Sequence, residues 1–104
     1  MTPATAAAIT AALRSWFGLS AAETRVLVAL WFARGQALPP EELMRLAELT
    51  SQGGLCVIIC KVRQAMSSEA IDCERGAGYW LSEIGVAEIE EAISDMRAAL
   101  AEAA

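Results

Sequence analysis

A chain of 104 residues with 56% hydrophobic and 20% charged residues supports one folded domain with a single modest core, which excludes a disordered chain. Thirteen acids against eight bases, with no histidine, give a net charge of −5, a balance unfriendly to a polyanion. No apolar run approaches the roughly 20 residues of a membrane span. The amino terminus lacks the basic start of a secretory signal, and three cysteines, an odd number, suit reduced thiols. The expected location is therefore the cytoplasm.

The first predicted element is a helix over about residues 3–17. Thr2 offers a capping hydroxyl and Pro3 a proline for the first turn. Ile9, Ala12, Leu13, Trp16 and Phe17 fall on one side, and Gly18 ends the run. Ser20 and Glu23, three apart, form a capping box for a second helix from Ala21 to about Arg34, closed by Gly35. Val26, Leu27, Leu30 and Trp31 make its buried face, while Val28 and Phe32 give it a second apolar side. The amino-terminal helix is expected to cover that second side. Pro39, Pro40, Glu41 and Glu42 open a third helix, whose Leu43, Met44, Leu46 and Ala47 point inward. A short loop from Thr50 to Gly54 follows, with Thr50 or Ser51 as the next cap.

The stretch from Ser51 to Ser82 organises the rest. Leu55, Ile59, Val62 and Met66 recur at helical spacing and face the core. Gly53, Val57, Cys60, Lys61 and Gln64 then face outward, with Cys56 and Arg63 on one flank and Ile58 on the other. Ile71 and Cys73 alternate on one limb of a predicted hairpin, Tyr79 and Leu81 on the other. Arg75-Gly76-Ala77-Gly78 is its tip, where glycines accept positive φ. A helix leading into a glycine-tipped hairpin has the form of a recognition helix and its wing.

Three motifs sharpen this. Lys61-Val62-Arg63 with Met66, then Arg75-Gly76-Ala77-Gly78-Tyr79, and upstream Leu19-Ser20-Ala21-Ala22-Glu23 stand in that spatial logic and in the right order along the chain. On them, the segment from about Leu19 to Ser82 resembles the DNA-binding effector domain of OmpR/PhoB-type response regulators. The resemblance implies a mainly α fold with a small β-hairpin, a winged helix-turn-helix with a core at about 19–82. Added helices at about 3–17 and 84–101 complete one domain over 1–104. It also implies double-stranded DNA as partner, contacted by Gln52, Val57, Lys61, Arg63, Gln64 and Arg75. The departures are an amino-terminal helix where the family places a small sheet, and no expected receiver domain. Ile58, Cys60 and Trp80 stand where the family often has polar or basic residues, and Glu74 sits beside Arg75. Arg63 has a second reading, an internal ion pair with an acid such as Glu48.

The last predicted helix follows Ser82-Glu83-Ile84-Gly85. Val86, Ile89, Ile93, Met96 and Leu100 form a heptad-like stripe, opposite Glu88, Glu90, Glu91, Asp95 and Glu102. Such a stripe packs on its own domain or joins two copies. The extra apolar surfaces at Val28, Phe32 and Trp16-Phe17 favour the second, a homodimer matched to a palindromic site. The cysteines fall short of a zinc shell, which needs four ligands, so small buried thiols without metal or cofactor are expected. No nucleophile–base pair or phosphate-cradling loop is evident, and no enzyme activity is expected. The functional expectation is a DNA-binding transcription regulator. The alternative is a winged-helix factor that binds RNA polymerase or another regulator.

Overall fold

A computed structural model describes residues 3–103, with side chains from 6 to 98. The elements are α1 (Pro3–Phe17), α2 (Ala21–Phe32), α3 (Pro40–Leu46), α4 (Gln52–Ala65), β1 (Ile71–Glu74), β2 (Gly78–Leu81) and α5 (Glu83–Ala103). This is a winged helix-turn-helix with a helix added at each end. Thr2, expected to cap α1, lies outside the described residues. Among the described residues no helix is long and apolar enough to cross a membrane.

Local chemistry sets the boundaries. Ser20 Oγ accepts from the Glu23 N–H at 3.2 Å, and the Glu23 carboxylate accepts from the Ser20 N–H at 3.2 Å, so the capping box is complete. Thr24, buried in the next turn, donates its hydroxyl to the Ser20 carbonyl. Ser51 caps α4 by accepting from the Gly54 N–H at 3.0 Å. The α3 terminus closes differently from any glycine stop. Glu48 takes φ 59°, and the Leu49 N–H reaches back to the Met44 carbonyl at 2.8 Å. That is a Schellman closure built on a glutamate. Arg25 of α2 supports it, donating from Nε to the Ala47 carbonyl at 2.8 Å with its guanidinium 3.6 Å from the Glu48 carboxylate. Glu48 therefore pairs with Arg25, and the expected pairing with Arg63 is not made.

The core gathers Leu27 and Leu30 of α2, Leu43 of α3, and Leu55, Ile59 and Val62 of α4. Ile71 and Leu81 of the hairpin and Ile89 of α5 complete it. The hairpin pairs Ile71 with Leu81 and Cys73 with Tyr79. One further residue joins this sheet. Leu38 and Tyr79 exchange N–H···O bonds of 2.8 and 2.9 Å, so the segment before α3 acts as a one-residue third strand. Gly78 permits it: at φ 116°, a Cβ there would stand 2.0 Å from the Leu38 carbonyl oxygen. A second close approach is Gly85, in the first turn of α5, where a Cβ would meet the Ala70 carbonyl at 2.3 Å.

Four expectations about burial are corrected. Leu46 is 43% exposed, because α3 ends there and Ala47 takes the inward place. Trp16 is 45% exposed in the last turn of α1, after Leu13 has filled the core position. Val28 and Phe32 are not closed over by α1; with Ala29, Leu38 and Leu46 they line a shallow groove of about 370 Å³. The proposed dimer stripe is the fourth. Ile89 is fully buried, and Val86 and Ile93 pack against the same core, because α5 lies along α1. Met96 is half-buried, and the side chain of Leu100 lies outside the described residues. The Val86, Ile89 and Ile93 part of the stripe is therefore used within the monomer.

Candidate nucleic-acid interface

The outward face of α4 is built by default: once Leu55, Ile59 and Val62 are buried, the residues between them must face solvent. Gln52, Gly53, Cys56, Val57, Cys60, Lys61 and Gln64 are all exposed. Val57 is 53% exposed, more than any other large apolar side chain described. From Gln52 to Ala65 there is no aspartate or glutamate, although the chain carries 13 acids. The only charges on this helix are Lys61 and Arg63.

Of the residues expected to meet DNA, Gln52, Val57, Lys61, Gln64 and Arg75 are exposed, and Arg63 is not free to join them. Its Nε and a terminal nitrogen donate to the Ile71 carbonyl at 3.1 and 2.7 Å. The cause is the flank position of Arg63 on α4, which points it at the first residue of β1. Arg63 therefore ties helix to wing. Replacing Arg63 with alanine should lower stability by about 1.5–3 kcal/mol, the value of a hydrogen bond from a charged donor. Urea unfolding measures this. The salt dependence of any DNA binding should stay unchanged, whereas a phosphate role would flatten it.

At the wing tip the Ala77 N–H closes the turn on the Glu74 carbonyl at 3.0 Å, leaving Arg75 exposed. Ion pairs among the described residues join Arg25 to Glu48 and Arg45 to Glu42, so Lys61 and Arg75 have no acidic partner there. The Glu42 carboxyl is held below its usual range by the Arg45 hydrogen bond. Glu41 and Glu74 do border the groove beside Arg75, and they weaken its attraction for phosphate.

Where α4 meets the hairpin, Tyr79 lies near two thiols. Its hydroxyl is pushed above the ordinary range by burial first, then by Cys56 and Cys73, with Arg63 acting the other way. All three cysteines are exposed free thiols, which corrects the expectation that they are buried. Among the described residues, no three histidine, cysteine, aspartate or glutamate side chains gather as a metal shell. The sequence reading missed the Leu38 strand, the Arg25 cap on α3 and the Tyr79 contact. Only the Cys73 half of the last had a signal, since Cys73 and Tyr79 stand opposite one another in the predicted hairpin. No protein-family model, curated protein or solved structure matches the chain.

Proposed function

We propose that this chain is a DNA-binding transcription regulator of winged helix-turn-helix type, similar to the OmpR/PhoB effector domains. It works in the cytoplasm, with α4 in the major groove and Arg75 on a flanking phosphate. The observation that supports this most is the absence of any carboxylate on α4 in a chain of net charge −5. An acidic protein repels a polyanion everywhere except where it is kept clear of acids. Gln52 and Gln64 offer amide donors and acceptors to base edges, Val57 suits a thymine methyl, and Lys61 supplies the cation. Val86, Ile89 and Ile93 of the stripe expected to join two copies pack in the chain's own core, so the proposal rests on the contacts of a single chain.

Two basic contacts predict modest affinity and a salt slope of about two, close to one for each phosphate neutralised. Lys61→Ala and Arg75→Ala should each weaken binding to all duplexes and lower that slope by about one. Fluorescence anisotropy against labelled DNA over a salt series measures both. An unchanged slope in the double variant would sink the DNA reading.

One observation favours a second reading. Val57, exposed in the middle of the face, is the kind of anchor a protein partner buries, such as RNA polymerase or another regulator. Under that reading, binding to the partner is lost in Val57→Asp and is insensitive to the two basic substitutions.

A further inference from the structure

Cys56 and Cys60 have no part in the reading above. They stand one turn apart on α4, and both are exposed. Residues four apart on a helix hold their Cβ atoms about 5–6 Å apart. A disulfide needs about 3.5–4.5 Å between the same atoms. The pair therefore cannot close on itself while α4 stays helical, yet the gap suits two sulfurs with one atom between them. No carboxylate on α4 offers a competing hard ligand. No third metal-ligating side chain joins the pair among the described residues, so the site has two ligands. A structural zinc ion, which takes four, is poorly served, whereas thiolates select soft ions.

We propose that Cys56 and Cys60 form a two-thiolate site for a soft monovalent metal ion of the Cu(I) class, on the face that α4 offers to DNA. Each thiol releases its proton to solvent, two sulfur–metal bonds form, and nothing is oxidised or reduced. Two thiolates and one monovalent cation leave one net negative charge where neutral thiols stood. That charge arrives on a helix that carries no acid of its own, beside Val57 and Lys61. The ion then opposes DNA in the groove and releases it. The release rests on the DNA-binding reading; the metal site does not.

The test uses the reduced full chain under anaerobic conditions, with Cu(I) titrated against a chromophoric Cu(I) chelator and no DNA present. One ion per chain is expected. Cys56→Ser and Cys60→Ser should each weaken binding by roughly two to four orders of magnitude, since the second thiolate acts at high effective concentration. Cys73→Ser should bind as the wild type does. A Cys56→Ser or Cys60→Ser variant that holds the ion as tightly as wild type overturns the site, and so does an equal loss in Cys73→Ser. Circular dichroism shows that each variant stays helical. With DNA added, Cu(I) should lower the anisotropy of the wild-type complex and leave that of Cys60→Ser unchanged; equal responses in both overturn the coupling. If no DNA complex forms, the DNA reading fails, and the titration still decides the site.

Discussion

Gly78→Ala should destabilise the fold by about 2–5 kcal/mol, combining the cost of a strained left-handed residue with that of an unrelieved steric overlap. The new methyl group would stand 2.0 Å from the Leu38 carbonyl oxygen, and the atoms it meets are all backbone, so no neighbouring side chain can swing away. Relief requires the wing to move off Leu38, breaking both hydrogen bonds of that bridge. Gly76→Ala is the matched control. Its φ of 90° is also left-handed, but a Cβ there meets nothing within 4 Å. It should lose only the strain, about 1–2 kcal/mol. Thermal or urea unfolding of the two variants side by side measures the difference. Equal losses would show that the Leu38 contact does not restrain the wing.

Ile89→Ala should cost about 2–5 kcal/mol, as expected for a fully buried isoleucine cut back to a methyl group. The more telling readout is concentration dependence. If Ile89 belongs to the monomer core, the unfolding midpoint falls by the same amount in dilute and concentrated protein. If its stripe joined two copies, the loss would vary with concentration, because folding and association would be linked. Ile89→Asp should prevent folding outright, since it leaves an unpaired charge against α1. A folded, monomeric Ile89→Asp protein would return the stripe to an interface between copies.

These outcomes separate what the amino-acid order could reveal from what it could not. Ser20 and Glu23, the glycines of the wing tip and the burial of Leu55, Ile59 and Val62 were legible because each depends on neighbours within a few residues. The five helices and the hairpin followed from such signals. Leu38 was not legible, since a strand of one residue has no period to read. Arg63 looked like a phosphate ligand because its real partner is a backbone carbonyl eight residues away, which no side-chain pattern announces. Val86, Ile89 and Ile93 show a different limit. Periodicity reveals that one face of a helix must be covered, and is silent on whether the cover is α1 or another molecule. At the candidate site, the exposed positions of α4 were legible from the helical wheel. The Tyr79 contact with Cys56 was not, because it depends on how the hairpin folds back on the helix.

The pairing of α1 with α5 also sets a schedule for synthesis. Helix α1 is made before the helix-turn-helix and wing, and α5, on which it docks, is made after them. Until α5 emerges, Leu13 and the apolar side of α1 have only α2 for cover. The nascent chain thus carries a sticky segment from the synthesis of α1 until that of α5, the state in which chains tend to aggregate or recruit chaperones. Slowing translation over the codons for α5 should prolong that exposure, whereas speeding it there should shorten it.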